Sequence, residues 1–434
     1  MKVRYKELKD KLEQAKSLDH NDPFKDWRKE FLFPIKTKAD FRGNSLGPMP
    51  GFEVDRNFEE FTKTWRKYGH DGHFHQDENT MPWWRYHEMF EKNIAVLLGS
   101  DVSVPEAVVG NTLSVNNYIL LLKFLRLARD KSGSNKIVSL STFFNSDQNS
   151  IKDALNIIYG DEGETYNIVI KPDQKYLYST EYLEAEIAKV EKLAIIFIPA
   201  ICHQTGQRFD MDRLAIAAHE KGAYIGIDLA HAVGNIPLEL SKWNIDFATF
   251  CSYKYLNGGP GGVGGLYVNK KHIDSFKHSP GWWGSSPETR FGDPSQCLPS
   301  KGSRRFLASN DQIANMQGLL TYFEKIDKRF GNNLTPLFRK HKDLSQYAYD
   351  LLSPNPYIEI ITPENFNERG AQISFKLPDV YKAESTVKYF SEEWKCFIES
   401  RGEILRAAFT AYNTYSEVAY FAKTLHRYTN FYVG

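Results

Sequence analysis

The chain has 434 residues, 41 % hydrophobic and 14 % aromatic, which is material for more than one core. Its 55 basic and 54 acidic residues leave a formal charge of +1, so there is no electrostatic case for nucleic acid or an anionic membrane. No stretch approaches the ~18 consecutive apolar residues of a membrane span. The four cysteines (Cys202, Cys251, Cys297, Cys396) form no CxxC pair, which points to a cytoplasmic protein with reduced thiols and neither a metal site nor a disulfide frame.

The opening MKVRYKELKDKLEQAKSLDH lacks the apolar core of a signal peptide and reads as an amphipathic helix. Further along, short apolar runs alternate with helical patterns. KIVSL (136–140), NIVI (167–170), LAIIFIPA (193–200), AYIGID (223–228), DFATFCS (246–252) and GGLYV (264–268) read as strands. Their nearly unbroken β-branched and aromatic content fits strands covered on both faces. Between the third and fourth, DMDRLAIAAHEKG reads as a helix with Asp210 or Asp212 as N-cap and Gly222 as its stop. That strand–helix–strand rhythm implies an α/β fold, with a mostly parallel sheet covered by helices. From about residue 311 the pattern turns to longer helices, then YIEIIT (357–362) and AQISFKL (371–377), a smaller α+β domain. The expected division is an N-terminal segment (1–45) packing with the small domain, a large α/β domain (46–310) and a small C-terminal domain (311–434).

Ligands of such sheets bind beyond the carboxyl ends of the strands. Asp228 and Lys254 both follow strand runs, with His231 and Tyr253 beside them, and Lys254 leads into the glycine-rich stretch Gly258–Gly265. A carboxylate and an amine on one rim also fit a structural ion pair. The chemical reading is that a lysine in a partly dry cleft condenses with a carbonyl cofactor. Pyridoxal 5'-phosphate needs such a lysine and a carboxylate against its pyridine nitrogen. Its phosphate needs donors of the kind that helix N-termini and glycine-rich turns supply. No GK[ST] follows the glycines and no GxGxxG follows a strand, so neither a P-loop nor a dinucleotide enzyme is indicated.

DLAHAVGN (228–235) followed by DFATFCSYKYLNGGPGG (246–262) resembles the core signature of the kynureninases, pyridoxal-phosphate enzymes of the class V aminotransferase group and fold type I. FRGNSLGPMP (41–50), KYGHDGH (67–73), MPWWRYHE (81–88), GWWGSSPETRF (281–291) and ITPENFNERGAQISF (361–375) follow in that family's order. The resemblance implies that Lys254 carries the cofactor, Asp228 pairs with its pyridine nitrogen, His231 lies near the ring, and Tyr253 donates to the phosphate and relays protons. Leu113 and Ser114 would hold the phosphate. Phe144 would stack on the ring, with Asn145, Ser146 and Asp147 beside it. Trp282 and Asn310 match residues that reach the neighbouring subunit's cofactor, implying a homodimer with a shared site. Ser45, His70, Phe291 and Asn310 match positions around the aromatic end of the substrate. Arg406 in LRAAFTAYNT (405–414) is the candidate for the α-carboxylate, which a planar guanidinium suits.

The implied reaction is hydrolytic Cβ–Cγ cleavage of L-kynurenine or 3-hydroxy-L-kynurenine, giving L-alanine and anthranilate or 3-hydroxyanthranilate. His70 and Asn310 sit in the setting of enzymes that favour the 3-hydroxylated substrate. The chain also departs from the pattern. Asn145-Ser146 stands for Pro-[ST], Pro199 for a serine, and Asp311-Gln312 for a proline pair. The Arg406-to-Tyr412 spacing is one residue tighter than in animal-type members and closer to cysteine desulfurases. Another class V activity (desulfurase, β-lyase or aminotransferase) is therefore the alternative, with Cys297 and Cys396 as loose candidates for a reactive thiol. A non-catalytic binding homologue is the other, against which the intact Asp228, His231, Tyr253 and Lys254 argue.

Overall fold

The computed structural model describes residues 2–75, 81–101 and 103–431. The chain forms two units, a larger one of Glu53–Ala200 and Phe209–Asn332 and a smaller one of Met1–Phe52, Ile201–Arg208 and Asn333–Gly434.

The larger unit is built on seven strands: β1 (Ala107–Val109), β2 (Lys136–Leu140), β3 (Asn167–Ile170), β4 (Leu193–Pro199), β5 (Tyr224–Asp228), β6 (Phe247–Cys251) and β7 (Gly264–Val268). Their order across the sheet is β1-β7-β6-β5-β4-β2-β3. Strands β3, β2, β4, β5 and β6 run parallel, while β7 is antiparallel to both β6 and β1. Every residue of β4 to β7 is buried, which is why their sequences show no polar alternation. Strand β1 is the one that the sequence pattern did not reveal, because three apolar residues carry no period.

Helices α1 (Leu113–Ser132), α2 (Asn145–Tyr159), α3 (Thr180–Ala188) and α4 (Met211–Glu220) cover the sheet. From α1, Phe124 stacks on Phe247 of β6 with ring centroids 4.5 Å apart. Of the two candidate caps for α4, Asp210 is the one used, accepting from the Arg213 N–H at 3.2 Å. Gly222 follows the helix at φ +67°, the left-handed turn that glycine adopts without strain.

Helix α5 (Ile313–Phe330) was expected to open the small domain but belongs to the larger unit. Gly318 lies so close to the loop after β6 that a Cβ would stand 2.7 Å from the Gly258 carbonyl oxygen. Asn57 donates to Thr321 at 2.9 Å, and Lys325 pairs with Glu53 at 3.0 Å. These long-range bonds move the boundary to Asn333.

In the smaller unit, strands Glu399–Arg401, Ile404–Ala408, Gln372–Lys376 and Glu359–Ile360 form an antiparallel sheet in that order. Helices Lys2–Asn21, Thr335–Leu352 and Tyr415–Tyr428 pack with it around Phe41, Phe375, Leu405 and Phe421. Asp19 accepts from the Tyr415 and Ser416 N–H groups at 2.6 and 3.0 Å and so caps the last helix. Among the described residues no helix is long and apolar enough to cross a membrane.

Candidate cofactor and substrate site

In the larger unit, β5 and β6 end side by side. Asp228 is the last residue of β5 and pairs in register with Thr249 of β6. Lys254 follows β6, and its Nζ lies 2.9 Å from His231 Nε2. Asp228 is 6 % exposed and accepts from the Ala230 N–H at 2.8 Å. Burial raises its pKa, against the pull of the Lys254 charge and that N–H. On its other side Asp228 pairs in register with Pro199, so the residue that stands for a serine brings no side-chain donor there.

A second carboxyl lies close by. Asp147, in the first turn of α2, is 1 % exposed and accepts from Asn117 Nδ2 at 2.6 Å. Asn117, on α1, accepts in turn from the Thr249 hydroxyl. Burial and the neighbouring charge of Asp228 push the Asp147 pKa well up, opposed by Asn117 and Lys254. Phe144, just before α2, is 42 % exposed, and Lys254 Nζ is 6.0 Å from its ring centroid. Burial raises the pKa of the Tyr253 phenol, which therefore keeps its proton at neutral pH.

The turn between β6 and β7 is a packed hairpin. Gly258 lies so near Ser252 that a Cβ would meet its Oγ at 2.5 Å, and Ser252 Oγ donates to the Val263 carbonyl at 2.6 Å. Beside it, α1 begins at Leu113, and the Thr112 side chain does not cap it. A Cβ on Gly264 would stand 2.8 Å from the Leu113 nitrogen, so a glycine there lets β7 pass against the start of α1. An amine beside two buried carboxyls, a half-exposed ring and an uncapped helix start fit pyridoxal phosphate.

The profile of the Aminotransferase class-V family matches residues 161–421. A kynureninase of Christiangramia forsetii is 35 % identical over 375 residues, covering 83 % of this chain and 85 % of its own. A kynureninase of Myxococcus xanthus is 32 % identical over 424 residues, covering 95 % of this chain and 96 % of its own. The chain belongs to the kynureninase family. Among solved structures, a cysteine desulfurase from Thermococcus onnurineus NA1 superposes with TM-score 0.74 at 18 % identity, covering 94 % of this chain and 98 % of that one. A C-DES mutant with glycine covalently linked to its PLP cofactor has TM-score 0.74 at 14 % identity, covering 92 % and 98 %. The shared fold is that of the type I pyridoxal-phosphate enzymes.

Of the residues that the kynureninase pattern singles out, Phe144, Asp147, Asp228, His231, Tyr253 and Lys254 gather around the ends of β5 and β6. Ser146 donates to Asp147 at 3.3 Å, while Asn145 and Ser114 face solvent. Of the residues expected around the aromatic end, His70, Phe291 and Asn310 lie exposed in the same unit, as does Trp282, expected at the neighbouring subunit's cofactor. Phe291 is 55 % exposed and Trp282 45 %, with ring centroids 5.8 Å apart. Phe74 joins Phe291 at 5.5 Å and His70 at 5.9 Å. Phe74 escaped sequence reasoning, as did Asn117 and Thr249, which relay to the expected Asp147. The HFH triplet around Phe74 was the available signal for the first, and nothing local marks the other two.

Ser45 and Arg406 belong to the smaller unit. Arg406 lies in the strand Ile404–Ala408 and is 1 % exposed. Its Nη1 donates to the His203 carbonyl, and its Nη2 pairs with Glu399 at 2.9 Å. Gln372 donates to the same carbonyl at 3.0 Å and accepts from Asn44, beside Ser45, at 2.8 Å. Gly43 is fixed by the Tyr412 hydroxyl, which a Cβ would meet at 2.1 Å. Asn413 donates to the Asp40 carbonyl at 3.0 Å, so the turn that carries the Tyr-Asn pair after Arg406 is tied to the Asp40 backbone.

Proposed function

We propose that the protein is a kynureninase that hydrolyses the Cβ–Cγ bond of L-kynurenine, with preference for its 3-hydroxy form, releasing L-alanine and the matching anthranilate. The observation that carries this reading is Lys254 Nζ, hydrogen-bonded to His231 and facing two buried carboxyls, in a chain 35 % identical to a kynureninase over most of its length.

Pyridoxal phosphate, when bound, supplies the electron sink for the substrate's carbon atoms. Phe144, Asp147, Asp228, His231 and Lys254 would hold its ring, and the first turn of α1 at Leu113 and Ser114 its phosphate. Lys254 Nζ is the base for the Cα proton and returns protons to carbon, with His231 Nε2 setting its direction. Burial lifts both carboxyls, and Lys254 with the Ala230 N–H draws the negative charge onto Asp228. Tyr253 keeps its phenolic proton for the phosphate or for relay. Arg406 would grip the α-carboxylate with its planar fork, giving up its bond to Glu399 for it. Water adds to the γ-carbonyl, and its oxygen leaves in the carboxyl of the aromatic product.

The same reading makes the chain one half of a homodimer. Phe74, Trp282 and Phe291 are 45–55 % exposed and in ring contact, an apolar surface that a second copy would cover. Four free thiols suit the cytoplasm, where we place the enzyme. The desulfurase reading needs a reactive thiolate; burial pushes the Cys396 thiol far above its usual range, which leaves the half-buried Cys297 as its candidate.

The test is to load purified protein with pyridoxal phosphate and offer it kynurenine, 3-hydroxykynurenine and cysteine. One alanine per anthranilate is expected from the first two. Borohydride should fix the cofactor on Lys254, and Lys254→Ala should lose both adduct and turnover. An adduct on another lysine would end the site assignment. Sulfide from cysteine, with no alanine from either kynurenine, would establish the desulfurase alternative.

A further inference from the structure

We propose that Asp311 is a positioning residue for the substrate's aromatic end, its carboxylate fixing the segments that present Phe291 and Asn310 to the substrate and Trp282 to the neighbouring subunit. The inference rests on the kynureninase reading of those three residues. All of it concerns the larger unit.

The Asp311 side chain is 1 % exposed. One oxygen, Oδ2, accepts from the His87 backbone N–H at 2.9 Å and faces His87 Nδ1 at 2.8 Å. The other, Oδ1, accepts from the Trp283 indole N–H at 3.2 Å. Trp283 is 1 % exposed and carries the Arg290 guanidinium over its ring, with Cζ 4.2 Å from the centroid. Arg290 in turn donates to carbonyl oxygens of Trp283 (2.6 Å), Ser285 (2.9 Å) and Trp84 (3.3 Å). Burial lowers the Arg290 pKa, and the charge of Asp311 is the strongest influence opposing that. One carboxylate thus joins MPWWRYHE, GWWGSSPETRF and the Ser309-Asn310-Asp311 turn, and balances the buried guanidinium among them.

Three members of this buried cluster sit one position from an exposed residue assigned to the substrate or the dimer. Asp311 follows Asn310, Trp283 follows Trp282, and Arg290 precedes Phe291. Trp282 and Phe291 are 45 % and 55 % exposed, and their ring contacts with each other and of Phe291 with Phe74 cover only part of them. Their backbone is held by the buried neighbour. Two prolines would stiffen such a turn through their fixed φ. Here Asp311-Gln312 takes that place, and hydrogen bonds from His87 and Trp283 provide the restraint.

The test compares Asp311→Ala, Asp311→Asn and Asn310→Ala as cofactor-loaded enzymes, with kcat and KM measured separately for kynurenine and 3-hydroxykynurenine. Asp311→Ala should raise KM roughly tenfold, change kcat less than about threefold, and shift the ratio of the two efficiencies by at least ~3-fold. Asp311→Asn keeps an acceptor for the indole and should fall between it and the wild type. The Trp283 indole N–H resonance should move in the alanine variant and largely recover in the asparagine one. A merely structural role would lower the folded fraction and leave KM and the ratio alone. If Asp311→Ala fails to fold, Asp311→Asn carries the comparison. Wild-type KM and ratio in a folded Asp311 variant overturn the inference. If Asn310→Ala shifts the ratio in that case, the substrate reading survives; if it too leaves the ratio unchanged, both fall.

Discussion

Gly264→Ala places a methyl where two backbones already meet. The added Cβ would stand 2.8 Å from the Leu113 nitrogen, 2.9 Å from the Thr112 carbonyl carbon and 3.0 Å from the Phe250 oxygen. Ordinary contact for a Cβ begins at 3.4 Å, so strand or helix must give by about half an ångström. Neither moves freely, because Gly264 pairs in register with Cys251, and its N–H and C=O bond Asn111 and Gly110, both at 2.9 Å. Overpacking of this kind costs ~1–3 kcal/mol. If the shift falls on the first turn of α1, a cost of about 2 kcal/mol spent there weakens cofactor binding roughly 30-fold. Urea unfolding of the cofactor-free protein reads the stability cost, and an absorbance titration with pyridoxal phosphate reads the affinity. Both the midpoint and the affinity should fall. Lower stability with unchanged affinity would show that the phosphate does not rest on the start of α1. No change in either would refute the close approach itself.

Arg406→Lys keeps the charge and loses the planar fork, so kcat/KM should fall about 10–100-fold for every amino-acid substrate, mainly through KM; equal efficiencies would remove Arg406 from substrate binding. Asp246 is a buried carboxylate bonded by His219 (2.9 Å), His272 (2.6 Å) and Lys271 (2.8 Å). Burial raises its pKa, but those three partners outweigh burial and hold it far below the ordinary value of 3.8. Its stabilisation is therefore present at neutral pH and lost as acid takes the group through its folded pKa. Asp246→Asn should cost ~3–5 kcal/mol at pH 7 in thermal or urea unfolding, with a gap that narrows below pH 4; a gap that widens in acid contradicts the assignment. Asp147 has the opposite sign, because its folded pKa is raised and ionisation then costs stability as pH rises. The cofactor-free Asp147→Asn variant should melt near the wild type at pH 4 and above it at pH 8, and a pH-independent difference would count against the buried carboxyl pair.

Strands β2 to β7 were legible because an unbroken apolar run of four to eight residues has few other fates in a chain of this length. The strands Glu399–Arg401 and Ile404–Ala408 were not, since they carry Arg401 and Arg406 through a region without alternation. Helix α5 was legible as a helix, but its place was set by the absence of a side chain at Gly318, against a carbonyl sixty residues earlier in the chain. Within the site, Asp228 and Lys254 stood out because strand ends are where ligands bind. Phe144, which by residue type alone belongs in a core, is 42 % exposed beside the lysine. Asn117, Asp147 and Thr249 lie on three separate elements, so their relay has no local signature. Asp311 was visible only as a missing proline; its bonds depend on where residues 87 and 283 come to rest.

The smaller unit is closed by opposite ends of the chain. Lys11 meets Asp350 across 339 residues, and Asp19 meets Tyr415 across 396. Leu8, Leu12 and Ala15 share one apolar cluster with Phe421 and Leu425. A ribosome therefore releases the first helix long before the surface that buries it exists. At ~5–20 residues per second that interval lasts roughly 20–80 s, with an apolar stripe open to chaperones and proteases throughout. Damage is shared in the same way after synthesis. Clipping the final helix would uncover the first, so a lesion at one terminus would be reported by cleavage at the other.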